Sequence, residues 1–225
     1  MRVGDRLSVN LWGNGSAHPG WPNSVGPLRV PAGLVRLRPV RMRDATQWSR
    51  ARLAEREYLE PWEPSGELEW TVRHAVSAWP AMYSGLRAEA RRGRMLPYVI
   101  EVDGRFRGQL TIGNVTHGAL KSAWIGYWVS SAISGGGVAT GALALGIDHC
   151  FGPVTLHRVE ATVRPENSAS RRVLAKVGFR EEGMLRRYLD VDGAWRDHLL
   201  VAITTEEVVG SAAARLVENG LARWT

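Results

Sequence analysis

The order of patterns along this chain predicts an α/β (α+β) fold: a single domain on one mixed, mostly antiparallel sheet flanked by helices. Three observations carry that prediction. Tyr98-Val-Ile-Glu-Val-Asp-Gly-Arg-Phe-Arg-Gly-Gln-Leu-Thr-Ile112 reads as two strands either side of Asp103-Gly104, a two-residue hairpin signature. From Trp124 onward strand-like runs alternate with helix-like runs, which adds crossovers to an antiparallel start. No break in composition divides residues 30–205, so the 225 residues read as one domain at 28–225 after an extension at 1–27. A domain of this size buries roughly 70% of its unfolded surface and needs neither metal nor disulfide to fold.

Each element has its own reason. Residues 1–27 are rich in Gly, Asn, Pro and Ser, carry Trp12 and Trp21 without periodicity, and read as loose or draped over the domain. Leu34-Val-Arg-Leu-Arg38 alternates as a strand, and Asp44 is the expected N-cap of a helix through about Leu59. Pro61 and Pro64 force a turn around Trp62 and Glu63. Ser65, followed by Glu67 and Glu69, is expected to start a second helix with Trp70, His74 and Ala78 on one face. Pro80 is expected to kink or interrupt it, and the charged run 87–94 to fray it. After the hairpin come a strand at 124–130, a helix at 138–150, a strand at 158–163 and a helix at 168–177. Strands at 184–191 and 196–203 then join at Asp192-Gly193, and a helix at 206–221 closes the chain.

The formal charge is +7, and of 29 basic residues only Lys121 and Lys176 are lysines. The arginines are scattered, with no basic helix or stacked aromatic array, so no direct nucleic-acid binding is expected; a surplus of this kind steers polyanionic ligands or acidic protein surfaces. The single Cys150 has no partner within the chain and fits a reducing compartment. No apolar run nears the ~20 residues of a membrane span, and no signal-like segment opens the chain. The expectation is a cytoplasmic protein, off the membrane. The six histidines show no metal-ligand spacing, and no metal is expected.

Ile125-Gly-Tyr-Trp-Val-Ser130 leads into Ser134-Gly-Gly-Gly-Val-Ala-Thr140, a strand entering a glycine turn that opens a helix. Gly135, Gly136 and Gly137 let the backbone approach a bound group, and Val138, Ala139 and Thr140 present first-turn N–H groups at the positive end of the helix dipole. A pyrophosphate-bearing cofactor suits such a turn. The dinucleotide pattern G-x-G-x-x-G and the P-loop Gly-Lys-Ser/Thr ending are both absent.

The next passage, Leu156-His-Arg-Val-Glu-Ala-Thr-Val-Arg-Pro-Glu-Asn-Ser-Ala-Ser-Arg-Arg-Val-Leu-Ala-Lys-Val-Gly-Phe179, joins a strand, an Asn-capped helix and a Gly-Phe strand entry. With the glycine turn it resembles the acetyl-CoA-dependent GNAT acyltransferases, and more closely their RimJ/RimL branch of protein N-terminal acetyltransferases. Tyr58-Leu-Glu-Pro-Trp-Glu-Pro64 and Tyr188-Leu-Asp-Val-Asp-Gly-Ala-Trp-Arg-Asp-His198 point to the RimJ side of that branch. The resemblance implies a sheet splayed at its centre, where the strands ending near Ser130 and Val163 part to receive the pantetheine arm. It implies that Tyr127, Trp128 and Val129 offer main-chain groups to the pantetheine amides and thioester oxygen. Asn167 would help bind the cofactor, and Ser170 would lie near the sulfur and protonate the departing thiolate. Asn167 is also a preferred N-cap.

The chain departs from the wider family at three places. Ser134 stands where many members have Gln or Arg, Leu174 where many have a tyrosine acid, and Leu189 where some relatives have a glutamate. Asp190 is the nearest carboxylate and, with Asp192 and Glu160, a candidate base acting through water. The base is not demanding: roughly a tenth of an α-amine is neutral at pH 7, against about 10⁻³ to 10⁻⁴ of a lysine. The resemblance therefore implies acetyl transfer to the N-terminal α-amine of a protein, a ribosomal one in the case of this branch, by a monomer or homodimer. Acetylation of a small amine, or a non-catalytic CoA-binding module, are the alternatives.

Overall fold

The turn at Asp103 and Gly104 takes φ of +47° and +76°, the left-handed pair that a two-residue hairpin requires. The computed structural model describes residues 20–225, and residues 1–19 of the extension expected at 1–27 lie outside them. In chain order the elements are β1 (Val25–Val30), β2 (Gly33–Pro39), α1 (Ala45–Ala54), α2 (Arg56–Leu59), α3 (Trp70–Arg73), α4 (Trp79–Arg91), β3 (Met95–Val102) and β4 (Arg105–Thr116). There follow β5 (Ser122–Val129), α5 (Val138–Phe151), β6 (Arg158–Val163), α6 (Ser168–Val177), β7 (Arg180–Val191), β8 (Ala194–Thr204) and α7 (Ala212–Glu218). Among the described residues, eight strands form one sheet in the order β1-β2-β3-β4-β5-β6-β8-β7, with the β5–β6 pair alone parallel.

Alternation along the strands sends neighbouring residues to opposite faces. On β3, Tyr98 joins a core that includes Leu28, Leu37, Leu110, Leu143 and Ile147 with residues of α5, α6 and α7. Its neighbour Val99 joins a second cluster with Val40, Trp48, Trp79 and Phe106, under α1 and α4. Helix α5 is buried on almost every side, from Val138 to Cys150, so the glycine turn at its start is held rigidly.

Four expectations need correction. Strand β1 begins at Val25, and already Gly20 accepts a hydrogen bond of 2.9 Å from the Tyr98 hydroxyl, so the domain starts before residue 28. Gly26 and Pro27 hid it; an edge strand tolerates both, and its register shifts between Val25 and Leu28. The helix expected from Asp44 to Leu59 breaks at Glu55 into α1 and α2. Asp44 does not cap it with its side chain; its buried carboxylate takes two hydrogen bonds, of 2.8 and 2.9 Å, from Arg38.

Ser65 caps no helix either. Residues 65–78 give only the single turn α3 and a 3-10 turn at Val76–Ala78, while Pro80 sits in the first turn of α4, where no N–H is needed. Trp70 and His74 do share a face, with ring centroids 4.1 Å apart. The last helix shrinks to α7: a 3-10 turn at Thr205–Glu207 ends at Val208, the chain bends at Gly210 with φ +74°, and Ser211 then caps α7. Asp148 of α5 also accepts from the N–H groups of Ala212 and Ala213, at 2.6 and 3.0 Å. Among the described residues no helix is long and apolar enough to cross a membrane.

Candidate active site

β5 and β6 pair at Ser122↔Arg158, Ala123↔Val159 and Trp124↔Glu160, then separate. Beyond Trp124, β5 continues on β4 as far as Val129, while β6 continues on β8 to Val163. The edge of β5 carrying Tyr127, Trp128 and Val129 therefore faces a gap, with backbone groups that need partners. All three residues are half-buried.

The chain leaves β5 through Ser130. There the Glu55 carboxylate, freed by the break between α1 and α2, accepts from the Ser130 hydroxyl at 2.6 Å and from the Ser131 N–H at 3.0 Å. The glycine turn follows with Gly135 at φ +78° and Gly137 at φ +80°, conformations that other residues adopt only with strain. Gly136 packs on the β1–β2 turn: its carbonyl accepts from Ala32 at 3.0 Å, and a Cβ there would come within 2.5 Å of Ala32. Gly135 faces open space instead. Gly137 is the N-cap of α5 and has no side chain to bond the amides of Val138, Ala139 and Thr140. Those donors suit an anionic ligand. Ser134 is exposed beside them.

Asn167 caps α6, its Oδ1 accepting from the Ser170 N–H at 3.0 Å. This fixes the first turn of α6 across the gap from β5. The Tyr127 hydroxyl reaches over and lies 3.0 Å from Ser170 Oγ. Burial pushes the Tyr127 phenol up to about 12, so it stays protonated. Leu174, four positions on, is buried in the core and offers no proton.

Trp128, the neighbour of Tyr127, packs against the second cluster instead, among charged side chains. Arg52 of α1 is 4% exposed, with its guanidinium 4.8 Å from the Trp70 ring and 5.0 Å from the Trp128 ring. It pairs with Glu63, and Arg73 stands 3.7 Å from the same carboxylate. Burial, then Arg73, pulls Arg52 down to about 9, which leaves it charged at neutral pH. His74 Nε2 lies 3.0 Å from Arg52 Nη2, which can only donate, while Nδ1 donates to the Trp70 carbonyl at 2.9 Å. His74 is accordingly neutral, its pKa lowered to about 4 by burial and then by Arg52.

The loop at 60–65 crosses from this cluster to the β7–β8 hairpin. Arg164 donates to the Pro61 carbonyl at 2.9 Å and stacks on Trp62, and Pro64 bridges Val191. The Ser65 hydroxyl donates to Asp190 at 2.9 Å and accepts from the Gly193 N–H at 3.1 Å. Asp190 is thus held by the loop, and no hydrogen bond among the described residues joins it to Ser170. Asp192, at φ +53°, serves the turn, and Glu160 accepts from Arg158 at 2.7 Å.

Sequence reasoning missed the hydroxyl of Tyr127 and the cluster of Arg52, Glu63 and His74. The Trp70-His74 spacing was the one legible signal for the cluster. Nothing in the local pattern around Arg52 marked it as buried.

The acetyltransferase (GNAT) domain profile matches residues 35–180. The chain is similar to the Mycobacterium smegmatis RimJ in complex with CoA-disulfide: 72% identity, a TM-score of 0.92, 92% of this chain and all of that one. It is 29% identical over 191 residues to the [Ribosomal protein uS5]-alanine N-acetyltransferase of Escherichia coli, covering 84% of this chain and 96% of that protein. Against the probable N-acetyltransferase YjcK of Bacillus subtilis it is 42% identical over 101 residues, 45% of this chain and about half (56%) of that protein.

Proposed function

The chain belongs to the GNAT acetyltransferase family, and from that premise we propose that it moves an acetyl group from acetyl-CoA to the N-terminal α-amine of a protein, of the uS5 ribosomal kind. The observation that carries this reading is the gap between β5 and β6, closed at one end by the glycine turn and crossed by Tyr127 and Ser170. It is supported by the CoA-disulfide bound to the M. smegmatis RimJ and by the activity named for the E. coli relative.

In this reading the amides following Gly137 hold the pyrophosphate, with Gly135, open on its Cβ side, allowing close approach, while Gly136 packs the turn on Ala32. Main-chain groups of Tyr127, Trp128 and Val129 take the pantetheine and polarise the thioester carbonyl, and Asn167 steadies the arm while it caps α6. The neutral amine attacks the carbonyl directly, held in range by the loop at 60–65 and the β7–β8 hairpin. As the C–S bond breaks, Ser170 gives its proton to sulfur. Asp190 keeps the acceptor loop in place through Ser65 and is reached by the amine's proton through water. No metal takes part, and the setting is the bacterial cytoplasm where ribosomal proteins are made.

The test is incubation with acetyl-CoA and peptides that differ in their first residue, followed by intact mass. The expected result is one acetyl group on the α-amine of alanine-initiated peptides. Acetylation confined to polyamines or amino acids would replace the acceptor assignment, and CoA binding without any mass gain would overturn catalysis.

A further inference from the structure

We infer that Tyr127 is a positioning residue that aims the Ser170 proton at the departing sulfur, a role resting on the assignment of Ser170 as proton donor. Three contacts carry it. The Asn167 cap holds the backbone of Ser170, so the Cβ that carries Oγ is in place before any ligand arrives. The Tyr127 hydroxyl lies 3.0 Å from that Oγ and 3.5 Å from the Ser170 carbonyl; either hydroxyl can donate in the shorter contact, and the inferred role has the phenol donate. Leu174 removes the tyrosine acid that many relatives place on α6, leaving this pair as the hydroxyls bonded to each other across the gap.

A serine near a helix start tends to turn its proton back onto a carbonyl of the preceding turn. A phenol donating into Oγ fills one of its lone pairs and turns the serine O–H elsewhere, into the space between the strands. Burial keeps Tyr127 protonated, so its O–H is available to donate at every physiological pH. The balance of the step is then simple. The C–S bond breaks with its electron pair going to sulfur, Ser170 Oγ–H protonates the sulfur, and the one proton that the attacking nitrogen gives up to Asp190 returns through water to Ser170. Tyr127 keeps its own proton throughout.

The experiment is a double-mutant cycle with Tyr127→Phe, Ser170→Ala and both together, read by single-turnover acetylation of an alanine-initiated peptide and by calorimetric binding of CoA. Tyr127→Phe is expected to lower kcat roughly tenfold, toward the low end of acid–base contributions, with KM for acetyl-CoA and CoA binding unchanged within about twofold. In the Ser170→Ala background the same change should cost nothing more. Equal costs in both backgrounds, or a fall in CoA affinity matching the fall in rate, overturns the positioning role and leaves the acetyltransferase reading intact. Absence of any turnover by the unaltered chain overturns both.

Discussion

Tyr127 and Trp128 are neighbours on β5, yet they open onto regions built on opposite principles. The Tyr127 side is neutral: backbone amides, two hydroxyls and an asparagine, brought together by a strand, a turn and two helix starts. The Trp128 side is charged and buried, with Arg52, Glu63, Arg73 and His74 drawn from three separate stretches and wedged among tryptophans. A polyanion needs many donors with little net charge to desolvate, and backbone supplies them. The loop at 60–65, to which the proposed function gives the acceptor chain, is fixed by an ion pair, whose removal on one side leaves an uncompensated charge.

The largest expected effect tests that contrast directly. Glu63→Ala strands the Arg52 guanidinium between two rings, and a loss of about 3 kcal/mol is expected from urea denaturation. Glu60→Ala, which removes the exposed pair with Arg56, should cost far less. Equal losses would erase the distinction between buried and exposed charge in this region.

A nearly equal effect concerns pH. His74 binds its proton near 4 when folded and near 6.5 when unfolded, so the unfolded chain takes up more protons across that window. Stability is therefore present above pH 6.5 and is lost as pH falls toward 4, by roughly 3 kcal/mol at most. His149, lowered in the same direction by burial, adds to the slope. His74→Gln should flatten the pH profile of the Tm without removing it.

Smaller effects are expected on the neutral side. Ser134→Arg places a cation beside the uncapped amides of α5 and should tighten CoA binding about tenfold, a gain near 1.4 kcal/mol that shrinks with salt. Asn167→Ala removes the α6 cap at about 1 kcal/mol in stability, with a further drop in CoA affinity if the same side chain meets the pantetheine.

Legibility followed the same division. The glycine turn, the Asn167 cap and the Asp103-Gly104 hairpin were readable because each is a local device whose cause lies within a few residues. Strand β1 was not, since Gly26 and Pro27 argue for a loop and only its pairing with β2 makes it a strand. Asp44 read as a helix cap because the signature was right, but Arg38 from β2 claimed its carboxylate. Ser65 read as a cap too, and Asp190, 125 positions away, took its hydroxyl.

What the sequence alone determined is the set of segments whose conformation is dictated by short-range sterics and capping, and with them the backbone of the candidate site. Tertiary structure alone decided where β5 and β6 part, that Tyr127 meets Ser170, and that Arg52 is buried on Glu63. The physical reason is range: a turn or a cap is settled by neighbours along the chain, whereas a buried charge or a bonded pair of hydroxyls exists only when the sheet brings distant strands and helices to one place.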